Sequence, residues 1–336
     1  MIDPSLPRID LHRHLEVRVA TILDLARVHG VAPPATTPEA LRPYVEIAPD
    51  RYGLGLLPFL AHLQPMTAVL GDLEAVRRVA RENVEDAARD GLDYVELRFS
   101  PSFFARPFDL DPAAVAGAVI AGVDDGRAAT GLAVNLIGIL SRTFGPDAAA
   151  VELAALLTQR ERIVALDLAG DEAAWPAALF AQHFERARAA GWAITVHAGE
   201  AAPASSVWEA IRVLGAQRIG HGTRVIDDPA LMAYVAEHRI GIECNLSSNV
   251  HTGAARSYAE HPLKAFLARG ILASINTDNP KISGIDWPHE VAVAAPAAGL
   301  DGAEIATALR NALEIAFLSP PEKRAVLASA ARRSLP

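Results

Sequence analysis

Short runs of β-branched and other apolar residues recur along the chain, each closed by a turn residue or a polar side chain. Eight of them read as buried strands: 8–12, 93–99, 133–140, 163–168, 193–197, 218–221, 241–246 and 273–278. Between the runs the apolar spacing changes to three and four. Residues 74–90 place Val76, Val79, Ala80, Val84 and Ala87 on one helical face, and Gly91 follows as a stop. Residues 180–191 repeat the scheme and end at Gly191. Strand–helix alternation of this kind implies a parallel sheet. Eight units without a break in composition favour an α/β fold of the closed TIM (β/α)8 type. An open doubly wound sheet is the alternative, but no G-x-G-x-x-G or P-loop follows any strand. The interval between the first two strands is too long for one helix. It holds a proline-rich patch (Val31 to Pro38) and the apolar stretch LLPFLAHL at 56–63. We read it as a helical insertion over roughly 20–75 in a single domain spanning 1–336.

Composition narrows the function classes. Apolar residues make up 51% of the 336, enough for a substantial core. No run of about eighteen apolar residues occurs, so no membrane span is expected. The opening MIDPSLPRID lacks a basic segment and a long apolar one, and is not expected to be a secretory signal. A single cysteine, Cys244, allows no internal disulfide and suits a reducing, cytoplasmic setting. Net charge is −9 with no Lys/Arg block, so a nucleic-acid partner is not expected. A small molecule is the better candidate.

The polar residues that close the apolar runs carry the chemistry. His12 and His14 are two apart, so in a strand they face the same side. Such a pair alone is more often an ordinary feature of a strand end than a site. Further along, HAGE supplies His197 and Glu200, the HG after the sixth run supplies His221, and TDN supplies Asp278. In a closed barrel these ends meet at the C-terminal mouth. Imidazoles and a carboxylate suit a first-row metal, zinc being usual for hydrolysis. Singly, His221 could fill space and Glu200 could cap a helix; four polar strand ends together are a stronger signal.

HxH on strand one, HAGE on strand five, HG on strand six and TD on strand eight resemble the adenosine deaminase family. DLAGDE at 167–172, SSN at 247–249 and NALEIAFLSPPEKR at 311–324 extend the resemblance over nearly the whole chain. The resemblance implies one Zn2+ per chain held by His12, His14, His197 and Asp278. It implies that Glu200 donates a proton to purine N1 and that His221 orients the attacking water or takes its proton. It also implies that the Gly170 N–H meets N3, that Glu243 and Ser248 fix the orientation of histidine rings, and that Phe59, Leu60 and Leu63 cover the substrate. Those three could equally well pack inside the insertion. Adenosine, with 2′-deoxyadenosine, is the implied substrate and inosine the product.

Two departures bear on specificity. After the metal pair the family reads HL(D/E)G, whereas here HLEVRVATILDLA keeps the Glu16 carboxylate, expected at the ribose, loses the glycine and is about two residues shorter. TDNP at 277–280 puts Asn279 where the family commonly has a second Asp facing N7; an amide donates at any pH. A binuclear hydrolase bridged by a strand-four lysine is disfavoured, because no lysine precedes Lys264. A nucleic-acid deaminase with a P-C-x-x-C zinc site is excluded by the single cysteine. A deaminase of adenine or another 6-aminopurine stays open, as does a purine-binding protein without catalysis.

Overall fold

The computed structural model describes Asp3 and residues 5–333. Its strands are β1 (Ile9–His14), β2 (Tyr94–Phe99), β3 (Ala133–Ser141), β4 (Ala165–Ala169), β5 (Ala193–Ala198), β6 (Arg218–His221), β7 (Gly241–Cys244) and β8 (Ala273–Ile275). They pair in parallel and in chain order, β1 through β8, with helices in the intervals. The seam between β8 and β1 is closed just beyond the end of β8. There Asp278 donates its N–H to the His12 carbonyl at 2.7 Å, and the His14 N–H donates to the Asp278 carbonyl at 2.8 Å. The expected TIM barrel is therefore the observed one. Each expected run overlaps a strand, and the ends differ in informative places. β1 continues through His14, so both histidines lie within it. β8 stops at Ile275 rather than reaching Asp278. Asp278 has φ 61°, a left-handed conformation that leaves the pleat. Likewise β7 ends at Cys244, because Leu246 opens a helix, Leu246–Thr252.

The helix expected over 74–90 runs from Leu73 to Arg89, and the Asp72 carboxylate caps the Ala75 N–H at 2.7 Å. Val76, Val79, Ala80, Val84 and Ala87 are all buried on it. So is Asn83, whose amide bonds both the N–H and the carbonyl of Glu16. This helix thus pins the segment after β1. Before it, the chain forms helices at Val19–His29, Pro38–Val45, Leu56–Leu60 and Gln64–Thr67. The expected helix over 180–191 is observed at Ala181–Ala189. No helix among the described residues is long and apolar enough to cross a membrane.

Barrel interiors are usually filled by branched apolar side chains. Here Glu96, Arg98, Asp167, Arg218 and Glu243 occupy fully buried strand positions. Arg98 bridges Asp167 and Glu243 at 2.8 Å each, and Arg218 bridges Glu243 at 2.7 Å and Glu96 at 2.5 Å. Removing one member of such a group leaves an uncompensated charge, at a cost of about 3–5 kcal/mol. The site rests on this layer.

Candidate metal centre and active site

Because Asp278 closes the barrel between His12 and His14, the closure itself assembles a site. Donor atoms of His12, His197, His221 and Asp278 lie within 4.8 Å of one another, all buried. His14 converges on the same point, its Nε2 3.2 Å from His197 Nε2 and 3.3 Å from Asp278 Oδ1. His12 Nε2 is 3.4 Å from Asp278 Oδ1. An ion held tetrahedrally at about 2.0–2.1 Å spaces its ligand atoms about 3.3 Å apart. The donor set of His12, His14, His197 and Asp278 therefore fits zinc in kind, and these three separations match that spacing.

The surroundings prepare two of these rings for ligation. His12 Nδ1 faces Glu243 Oε2 at 2.7 Å and His197 Nδ1 faces Asp167 Oδ1 at 3.0 Å. A carboxylate at Nδ1 holds the proton there and leaves the Nε2 lone pair for a metal. His12 Nε2 is buried without a hydrogen bond. Burial pushes the His14 imidazole well below its ordinary pKa and lowers that of His197, which favours the neutral rings a metal needs. Burial alone would raise Asp278; the His12, His221 and His14 rings outweigh it and hold the carboxyl well below the usual range. Glu243 orients a histidine as expected, whereas Ser248 Oγ donates to Asp278 Oδ2 at 2.5 Å and so steadies the carboxylate and not an imidazole. Gly220 makes room beneath, since a Cβ there would sit 2.8 Å from His12 Cε1. His221 and Asp278 are two of four non-glycine residues with positive φ among the described residues. Such backbone costs about 1–3 kcal/mol each and persists where surrounding structure enforces it.

Glu200 lies beside the cluster, with Oε2 3.5 Å from His221 Nε2. Its Oε1 is buried and has no hydrogen-bond partner. Burial, then the Asp278 and Glu172 charges, push its carboxyl well above the ordinary value, the direction a proton donor needs. The loop carrying Glu200 is held from below by Glu172 of the DLAGDE motif. Its carboxylate accepts the backbone N–H groups of Gly199 (2.6 Å), Glu200 (3.1 Å), Ala201 (2.7 Å) and Ala202 (3.1 Å), and the Ser206 hydroxyl. Gly199, at φ 69°, supplies the left-handed step that lets these N–H groups converge.

A cleft opens over the cluster. Its polar end has His14, His197, Glu200, His221, Asp278 and Asn279, and Gly170 lies at its side. Phe59, Leu60, Leu63 and Met66 form an apolar wall. Phe59 is also buried in the core, so it serves both packing and wall. Gly170 has φ 110°, and a Cβ there would collide with the Thr143 hydroxyl, which explains the glycine. Glu16 does not join the cleft; Val17 lines it instead. The Glu16 carboxyl accepts the Lys281 and Ile282 N–H groups at 2.7 and 3.2 Å, and burial pushes it up to about 7. It anchors the short helix Pro280–Ser283 that follows Asn279.

Sequence reasoning did not single out Arg98, Asp167, Glu172, Asn245 or Asn249. Arg98 and Asp167 left one signal, charge inside otherwise apolar strand runs. Asn249 sits in the quoted SSN, and Glu172 in the quoted DLAGDE.

The adenosine deaminase family model matches residues 7–332. A protein of Klebsiella pneumoniae named adenosine deaminase is 56% identical over 337 residues, covering 99% of this chain and all of that one. The crystal structure of an adenine deaminase from Arthrobacter aurescens superposes with a TM-score of 0.89 at 26% identity, over 97% of this chain and 98% of that one. An amidohydrolase from Burkhoderia ambifaria with bound Zn shares the fold, with a TM-score of 0.87 at 24% identity over 98% of this chain and 90% of that one. By the family model and the 56% identity, this chain belongs to the adenosine deaminase family.

Proposed function

We propose that the chain hydrolyses adenosine, and 2′-deoxyadenosine, to inosine or deoxyinosine and ammonia, with one zinc held by His12, His14, His197 and Asp278. One observation carries the reading: Glu200, its carboxyl pushed well above the ordinary value by burial, stands beside a converging set of imidazoles and a carboxylate at the end of an apolar-walled cleft. Zinc, when bound, supplies the charge that makes water a competent nucleophile near neutral pH. Glu200 donates its proton to purine N1 and draws electrons from C6. His221, facing Glu200, orients the attacking water or takes its proton. The Gly170 N–H serves N3, and the Asn279 amide donates to N7. The apolar wall of Phe59, Leu60 and Leu63 covers the base and excludes water. Glu16 acts through the helix that follows Asn279, more than through the sugar. The reading includes a single 1–336 domain with the 20–75 insertion, a cytoplasmic setting, and neither nucleic acid nor membrane as partner.

A second reading, deamination of free adenine or another 6-aminopurine, is favoured by one feature, the engagement of Glu16 away from the cleft. The 56% identity to an adenosine deaminase against 26% to an adenine deaminase places it second. Glu200→Gln tests the chemistry. Zinc content and adenosine KM should hold while kcat falls about 10²–10⁴-fold. Near-normal turnover would remove Glu200 from the acid role.

A further inference from the structure

His221 is close enough to the cluster to be a metal ligand, a proton acceptor or a donor to water, and the three require different ring nitrogens to carry hydrogen. The structure settles the choice through hydrogen bonds whose direction is fixed at the far end by a backbone amide, which can only donate. The Leu263 N–H donates to His261 Nδ1 at 3.1 Å, so that nitrogen carries a lone pair. The neutral His261 ring therefore has its hydrogen on Nε2. Burial pushes His261 down to about 3, which keeps the ring neutral. His261 Nε2–H then donates to Asn249 Oδ1 at 2.9 Å. That fixes which end of the Asn249 amide is which. Its Nδ2 must point the other way, where it donates to His221 Nδ1 at 2.8 Å. Asn245 Nδ2 also lies 3.2 Å from His221 Nδ1, but no partner fixes its orientation, its Oδ1 being unbonded. The polarity is set by Asn249.

We infer that Asn249 and His261 are positioning residues that lock His221 as the Nε2–H tautomer. The inference rests on the reading of His221 as the group beside the attacking water, and decides between its two roles. With hydrogen on Nε2, His221 offers neither a lone pair to the metal nor a base to the water on the cleft side. It donates a hydrogen bond that orients the water oxygen. The contrast with His12 and His197 is direct: their Nδ1 atoms face carboxylates, which fixes the opposite tautomer and frees Nε2.

The test is the nitrogen-15 NMR spectrum of the zinc-loaded, histidine-labelled protein, with the His221 signals identified by their loss in His221→Ala. The expected wild-type result is a pyridine-type Nδ1 and a pyrrole-type Nε2. A pyridine-type Nε2 would overturn the inference, with no variant needed. Asn249→Asp replaces the donor by an acceptor, so Nδ1 should become pyrrole-type. The kcat should fall about 10²–10⁴-fold, as for other mis-set catalytic imidazoles, with KM and zinc content nearly unchanged. An unaltered Nδ1 signal, or unaltered kcat alongside a shifted signal, would also overturn it. The spectrum reads the tautomer whatever the substrate, so failure of adenosine turnover in the wild type would defeat the proposed function and leave the tautomer assignment standing.

Discussion

Replacing Glu243 by Gln should damage both the barrel and the metal site, by amounts that can be worked from its contacts. Its two carboxylate oxygens accept four hydrogen bonds, from His12 Nδ1, Arg98, Thr195 Oγ1 and Arg218, and the residue is fully buried. Those arginines hold Glu243 well below the usual carboxylate range despite its burial. An amide has one acceptor oxygen, and its NH2 would face a donor. Two buried guanidinium groups then lose a counter-charge, which costs about 3–5 kcal/mol. With about 2.1 cal/mol/K per residue, 336 residues give an unfolding entropy of about 0.7 kcal/mol/K, so Tm should drop about 4–7 °C. The Tm is read on metal-free protein, where ligand linkage cannot contribute. Separately, loss of the carboxylate behind His12 should weaken zinc about 10–100-fold, read by competition with a chelator. A metal-free Tm within about 1 °C of wild type, with unchanged zinc affinity, would refute the reasoning that this buried layer supports the site.

Three further outcomes are expected. Glu172→Gln should lower kcat by misplacing the Glu200 loop, yet cost little more in a Glu200→Gln background, because the acid it positions is already absent; equal losses in both backgrounds would make Glu172 a general structural residue. Asn279→Asp should introduce a pH dependence in KM, binding weakening as pH rises through the introduced carboxyl's titration and its donor to N7 is lost; a flat profile would separate position 279 from N7. Glu290, buried and pushed up to about 8, stabilises the fold fully only below its unfolded value of about 4.5; that contribution erodes above it and is gone above about 8. Glu290→Gln should therefore lose less Tm than wild type as pH rises from about 4.5 to about 8 in thermal melts, and parallel curves would contradict the assignment.

Much of this molecule is legible in its sequence because a parallel barrel writes each strand as a compact apolar run and places chemistry where the run ends. His12, His14, His197, Glu200, His221 and Asp278 are visible for that reason. What spacing cannot show is which strand ends become neighbours. That Asp278 itself closes the seam onto His12 and His14 depends on β8 ending early and on a left-handed residue, neither of which apolar periodicity encodes. Glu16 illustrates the opposite case. The resemblance suggests a sugar ligand, but the segment after β1, held by Asn83, turns the carboxyl onto the Lys281 and Ile282 amides. The charged layer of Arg98, Asp167 and Glu243 shows in sequence only as charge within apolar runs. Its pairing crosses the barrel between β2, β4 and β7, over separations of 69 and 145 residues, beyond any local pattern.

The proposed function turns on a zinc-loaded centre that deaminates a purine nucleoside. The most direct measurement is zinc per chain together with the ultraviolet spectrum during incubation with adenosine, 2′-deoxyadenosine and adenine. The expected result is about one zinc per chain, conversion of both nucleosides to their 6-oxo products, and loss of that conversion on chelation. Zinc-loaded protein that leaves adenosine unchanged while converting adenine would contradict the nucleoside assignment, and full turnover by metal-free protein would contradict the centre itself.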